Sequence, residues 1–255
     1  MERRARRVRR RAVRRSVIFL RFPRVEGGTL VAGFSGWADA GRISSFCLNY
    51  LVRKLGAEEF AEVVSDEFYV LSDVVKRPRV VIKGAYLEDF NYPTLRFYSC
   101  EGASPALALS FGPEPDLKWD EFLDLFSGVI ERVGVEKVYT VGGVVSGERG
   151  VSVVVNDEGL KEEFKGRGVD LVTYQGPSSI HSAILSYLRE KGVVAATLWG
   201  STPYAEDPVV WLEVVRKVAS VLGLELDVGD LEEMARSFER RRREREGGYE
   251  QPYIA

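Results

Sequence analysis

Histidine is nearly absent: His181 is the single one among 255 residues. That excludes metal sites built from several histidines and any mechanism that needs two imidazoles. Cysteine is almost as scarce, and Cys47 and Cys100 form neither a metal-ligand spacing nor a disulfide framework. Such usage suits a reducing cytoplasm. Long apolar runs are missing too; none approaches the roughly 20 residues that span a bilayer. The basic start followed by "SVIFLRF" imitates a secretion signal only until Arg21 interrupts it. The expectation is a cytoplasmic protein without membrane attachment, metal or cofactor.

Two phosphate-binding signatures are incomplete. In "GFSGWADAGRISS" (33–45) the interval from Gly36 to Gly41 has P-loop spacing, but Arg42 and Ile43 follow. A P-loop needs Lys and Ser/Thr there, to reach the phosphates and hold magnesium. Asp39 inside the loop would also repel phosphate. The glycines at 33, 36 and 41 do not match the G-x-G-x-x-G dinucleotide fingerprint either. A nucleophile elbow, G-x-S-x-G, is approached by Gly33-Phe34-Ser35-Gly36-Trp37, with Trp37 in place of the last glycine. The remaining reading is a tight turn around a vestigial pocket, in which Asp39 caps the following helix and Trp37 closes the end of the sheet.

What is present is a division of charge. Residues 1–15 hold nine arginines against Glu2, a net of +8, which leaves −10 on the rest of a chain whose total is −2. Like charges and few apolar groups make this arm disordered in isolation. It reads as a contact for nucleic acid or anionic lipid, as a dispensable tail, or as codons ahead of the true start.

From Ser16 onward, short β-type runs alternate with helical periods. "SVIFLRF", "TLVAGF", "FAEVVSDEFYVL", "RVVIKGAYL", "TLRFYSC", "ALALSFG", "EKVYTVGG", "GVSVVV", "VDLVTYQG" and "VVAATLWG" read as extended. Residues 40–55 place Ile43, Phe46, Cys47, Tyr50, Leu51 and Leu55 on one helical face. Further helices are expected near 118–133, 157–165, 178–190, 207–222 and 228–243. The pattern predicts a three-layer α/β domain over 16–226 with a largely parallel central sheet, then a C-terminal helix over 227–246 and a flexible tail over 247–255.

The second candidate for chemistry is "QGPSSIHSAIL" (175–185), at a helix start beyond a strand, where α/β folds place ligands. Ser178, Ser179 and His181 stand there, with Ser178 suited to cap the helix and to face His181 across one turn. An enzyme reading, of nucleoside-phosphorylase or hydrolase type, would use Ser35, Ser178 and His181. Asp66 and Glu67 are adjacent on an extended stretch and so face opposite sides, a poor carboxylate pair. Gly142 and Gly143 relieve crowding at a strand end, and Cys47 is inert core.

Several segments in order, "LVAGFSGWADAG", "GPEPDLKWDEF", "VYTVGG", "GPSSIHSAIL" and "ATLWGSTPY…DP", resemble the proteasome assembly chaperone 2 family over about residues 16–230. The resemblance implies a phosphorylase/hydrolase-like fold, homo-oligomers, no catalysis, and proteasome α subunits as partners. It also points to the C-terminus, because some proteasome-binding proteins end in a hydrophobic residue, a tyrosine and any residue. Here Tyr253, Ile254 and Ala255 stand at the end, with Ile254 at the tyrosine position. Two apolar side chains beside a free carboxylate suit end-capture recognition. A flexible segment after Arg243 would give a reach on the order of 17–21 Å.

Overall fold

The computed structural model describes residues 15–100 and 102–247. Most of the basic arm and the tail with Tyr253, Ile254 and Ala255 lie outside the described residues. Eleven strands are described: β1 (Arg15–Phe19), β2 (Thr29–Ser35), β3 (Glu58–Ser65), β4 (Arg79–Lys83), β5 (Tyr86–Asn91), β6 (Thr94–Cys100), β7 (Leu107–Pro113), β8 (Lys137–Val145), β9 (Gly150–Val155), β10 (Asp170–Leu171) and β11 (Val194–Thr202). The helices are α1 (Ile43–Lys54), α2 (Trp119–Val133), α3 (Gly159–Gly166), α4 (Ile180–Glu190), α5 (Pro208–Leu222) and α6 (Gly229–Gly247), with a 3₁₀ turn at Ala40–Arg42 before α1.

Nine strands form one sheet in the order β1-β3-β6-β7-β2-β8-β11-β9-β10. Its centre, β7-β2-β8-β11, is parallel. The β1-β3-β6-β7 side is antiparallel throughout, and β9 also joins β11 antiparallel. The central strands are buried on both faces, which is why "TLVAGFS" and "VAATLWGST" read as apolar runs rather than as alternations. Alternate residues of β2 serve opposite layers: Val31 packs with α1 and α5, while Leu30, Ala32 and Phe34 pack with α2 and α4. This is the three-layer α/β architecture expected from the alternation of strands and helices. Among the described residues no helix is long and apolar enough to cross a membrane.

Helix α1 can lie on β2 because Gly33 has no side chain. A Cβ there would come within 2.6 Å of Ser44 Oγ and Leu48 Cδ2. The Ser44 hydroxyl instead accepts the Phe34 N–H at 2.8 Å. At the start of α1, Gly41 has φ +63°, and a Cβ would meet Thr202 Cγ2 at 2.5 Å. Its carbonyl accepts the Trp211 indole N–H at 2.7 Å, and Phe46 stacks on Trp211 with ring centroids 3.9 Å apart. The geometry of this turn therefore ties α1 to α5 through packing.

Three local expectations need correction. "RVVIKGAYL" is two strands, since Gly84 and Ala85 both have positive φ (+52° and +61°) and turn the chain into the β4–β5 hairpin. Consecutive positive φ values are the signature of a tight hairpin turn. "VDLVTYQG" holds only the two-residue strand β10, which pairs with β9 alone at the sheet's edge. The extended stretch from Phe60 ends at Ser65, after which residues 66–78 form turns and irregular backbone.

Candidate functional site

The parallel strands end at one edge of the sheet, and β2, β7 and β11 lead there towards α1, α2 and α5. This is the edge at which α/β folds take their ligands. A helix N-terminus offers unpaired N–H groups and a partial positive charge, which makes it a natural anion site. Here three such ends are already met by carboxylates of the chain itself.

Asp39 Oδ1 accepts the N–H of Ser45, in the first turn of α1, at 3.0 Å. The expected capping role is thus performed from outside the helix, whose N-cap position is held by Arg42. Burial raises the Asp39 carboxyl to about 6, against the lowering effect of the Ser45 hydrogen bonds and of nearby Arg42. Asp207 caps α5: its side chain accepts from Val209 N at 3.2 Å and from Thr202 Oγ1 at 2.6 Å. It is fully buried and also paired with Arg149 Nε at 2.7 Å. Arg149 continues to Glu239 of α6 at 2.6 Å, and lies over the rings of Tyr204 and Phe238. One guanidinium thereby fastens α6 to the domain.

The third carboxylate belongs to Glu114, just past β7, a residue the sequence reading did not single out. Its Oε1 accepts the N–H of Ile180, the first residue of α4, at 3.0 Å. The Glu114 N–H in turn donates to the Ser35 carbonyl at 2.8 Å, so the loop at Ser35–Gly36 and the start of α4 are joined through this residue. The N-cap of α4 is Ser179, not Ser178, and neither hydroxyl makes the capping bond. Ser178 is exposed, and its Oγ donates to the carbonyl of Ser179 at 3.2 Å. A carboxylate from just past a distant strand took the capping site, and no local spacing in the sequence signals it.

His181 is 0% exposed. Its Nδ1 lies 2.9 Å from Thr140 Oγ1, which is itself 2.8 Å from Thr197 Oγ1. The ring is flanked edge-on by Phe34 and Trp199, at centroid distances of 5.5 and 5.1 Å. Burial lowers its pKa to about 3, so the imidazole is neutral at pH 7. The expected facing of Ser178 and His181 does not occur: the hydroxyl donates to the Ser179 carbonyl and the ring is buried beside Thr140. Ser35 is half-buried at the end of β2. Trp37 does not close the sheet either. It is 67% exposed, and it is the nearby Asp39 that bridges to Gly143 of β8.

Crowding explains the two glycines of β8. A Cβ on Gly142 would reach the Trp199 ring at 2.4 Å, and one on Gly143 the Ala40 carbonyl oxygen at 2.3 Å. Cys47 is buried within the α1–α5 layer, and burial pushes its thiol pKa up.

These landmarks lie within one recognisable unit. The model of the PAC2 family matches residues 33–245. The chain belongs to the PAC2 family. Among solved structures, this PAC2 chain is similar to a Mycobacterium tuberculosis proteasome-assembly chaperone homologue, with 25% identity and a TM-score of 0.76 over 85% of this chain and 94% of that one. A PAC2 family protein of Streptomyces avermitilis gives 24% identity and a TM-score of 0.75 over the same shares. The fold is shared with Pyrococcus furiosus PbaB, an archaeal proteasome activator, at 20% identity and a TM-score of 0.73 over 91% of this chain and 99% of that one. A comparison with curated proteins gives no match.

Proposed function

We propose that this PAC2 protein is a non-catalytic assembly factor of the cytoplasm that associates with itself and holds α-type proteasome subunits. One observation carries the reading. The sheet edge that serves ligands in related architectures has its helix N-termini filled by Asp39, Glu114 and Asp207, while Trp37 and Val145 stand exposed around it. A small anion arriving there would meet carboxylates, whereas another polypeptide would meet apolar side chains. The resemblance to a mycobacterial assembly-chaperone homologue and to an archaeal proteasome activator supports the choice of partner.

Ser35, Ser178 and His181 fit poorly with nucleophilic catalysis, which needs nucleophile and base within hydrogen-bond reach. The exposed Ser178 and the sealed His181 are not so arranged. The C-terminal Tyr253-Ile254-Ala255 supplies the end-capture element of the proposal, and the basic arm over 1–15 remains available for anionic partners such as nucleic acid.

The decisive experiment mixes the purified full chain with α-type subunits and follows complexes by native mass spectrometry. The expected result is a complex that alters α-subunit assembly and weakens when residues 253–255 are deleted. No complex and no change in assembly would overturn the function; an unchanged complex after the deletion would remove only the tail.

A further inference from the structure

Helix α6 changes character along its length. Leu231 near its start joins the core layer of α5. Further on, Arg236, Arg240 and Arg243 are exposed at helical spacing, on one face. Between that face and the start of α5 lies an open groove of about 580 Å³, lined among others by Val209, Ala235, Arg240 and Arg243. Val209 and Ala235 give it an apolar floor, which the methylene stems of the arginines widen.

The cations of this groove are not all matched. Arg236 is held by Glu232 and Glu233 at 3.6 and 3.1 Å, and Glu239 by Arg149 and Arg242 at 2.6 and 3.1 Å. Arg240 and Arg243 have no carboxylate against them among the described residues, and Glu244 at the rim is bonded to neither. An apolar floor beside two unmatched guanidinium groups fits a short segment that carries an anion and an aliphatic side chain.

The next residues of the same chain have that chemistry and start beside the groove. Beyond Gly247 the sequence runs Gly248-Tyr249-Glu250-Gln251-Pro252-Tyr253-Ile254-Ala255. Glycine just past a helix end permits the left-handed backbone that reverses a chain there. From Gly247 back to Ala235, α6 rises about 18 Å at 1.5 Å per residue. An extended return over 249–254 covers about 17–20 Å at roughly 3.3 Å per residue. That brings Glu250 near the level of Arg243 and Ile254 near that of Ala235. Residues two and four apart on an extended chain share a face, so Glu250, Pro252 and Ile254 point the same way.

We propose that residues 248–255 fold back along α6 and occupy this groove. Glu250 pairs with Arg243, Pro252 lies on the stem of Arg240, and Ile254 covers Val209 and Ala235. Arg240 donates to carbonyls of the returning strand, which have no partner within it. The inference rests on the proposed function in one respect, that the same tail is its end-capture element. The groove then competes with the partner for Ile254, and the partner's apparent affinity falls by the fraction of tails that are stowed.

The test is methyl NMR on the purified full chain, reading Val209 and Ala235, with the Val31 methyls of the core confirming that each variant is folded. Ile254→Asp and Arg243→Glu are each expected to move the Val209 and Ala235 signals to the same new positions. Arg243 stands about 12 Å along the helix from Ala235, so its substitution reaches these methyls only by releasing the tail. Adding Glu250→Arg to Arg243→Glu should return them to the wild-type positions. With α-type subunits, Arg243→Glu should bind about two- to fivefold more tightly than wild type, the scale of one exposed ion pair. Methyl signals indifferent to these variants would overturn the proposal and leave the α-subunit complex untouched. Labelled Ile254→Asp chains that regain the wild-type signals on mixing with unlabelled wild type would also overturn it, since the tail would come from a second copy. Signals that respond as expected without any α-subunit complex would support the stowed tail and remove only its partner.

Discussion

The start of α4 and the β4–β5 hairpin stand at the same edge of the sheet and follow opposite rules. At α4, charge is brought inside: Glu114 is buried against the Ile180 N–H, and a neutral His181 is bonded to Thr140 beneath it. At the hairpin, apolar side chains are left outside, with Ile82 62% exposed. A catalytic edge needs accessible polar groups and a dry apolar lining. This edge has the reverse, polar groups sealed and apolar groups in water. The difference teaches that the edge is finished as an internal structure on one side and unfinished as a surface on the other.

The comparison breaks most readily at the most tightly held carboxylate. Asp207→Ala removes the cap of α5 and leaves Arg149 with only Glu239, a partly buried charge having lost its fully buried partner. Breaking a buried ion pair from one side costs about 3–5 kcal/mol. Urea denaturation should show a loss of that size, together with earlier release of α6. A loss below about 1 kcal/mol, the scale of an exposed pair, would mean that the interior carboxylates are not structural.

The next effect concerns pH. His181 is held at about 3 in the folded protein, below its ordinary 6.5. Below pH 6.5 the unfolded chain binds the extra proton and the folded chain does not, so stability falls with acid from about 6.5 downward and levels off near 3. One such group contributes about 1.4 kcal/mol per pH unit. Asp39 acts in the opposite sense: its raised value means that folding is favoured by its protonation, so its contribution declines as pH rises from 3.8 to about 6. Comparing the wild type with His181→Gln between pH 4 and 6.5 isolates the histidine slope. A variant that keeps the full slope would show that His181 is not sealed.

Smaller again is Glu114→Ala, which removes the N-terminal cap of α4 at a cost of about 0.5–2 kcal/mol. With the carboxylate gone, the N–H of Ile180 and the unpartnered Ser179 Oγ are free to meet an added anion. Sulfate should raise the melting temperature of the variant more than that of the wild type. An equal response would mean that Glu114 does not occupy the site.

The contrast also shows what a sequence discloses. The parallel core was legible because strands covered on both faces read as apolar runs, and α1 was legible from Ile43, Cys47 and Leu51 at helical spacing. The order of motifs identified the family. The Glu114 contact was not legible: it joins residues 66 positions apart, and local spacing favoured Ser178, three residues before His181. His181 could be read as packed or catalytic until Thr140 was placed beneath it. The hairpin was hidden by a single "RVVIKGAYL" run whose turn, Gly-Ala, lacks the usual Asn-Gly or Asp-Gly signal. Trp37 was misplaced because a large apolar residue at a strand end is assigned to the core unless its exposure is seen.

The smallest effect is the sharpest test of the hairpin's half of the comparison. Ile82 is 62% exposed among the described residues, so Ile82→Ser removes little intramolecular packing. In dilute protein, where copies are apart, the change should leave unfolding free energy within about 0.5 kcal/mol of the wild type, as at other exposed positions. A loss above about 1 kcal/mol in dilute solution would instead place Ile82 against its own domain, for only buried methylenes cost that much on removal. The hairpin would then belong to the interior, and the division between a sealed polar side and an uncovered apolar side would disappear.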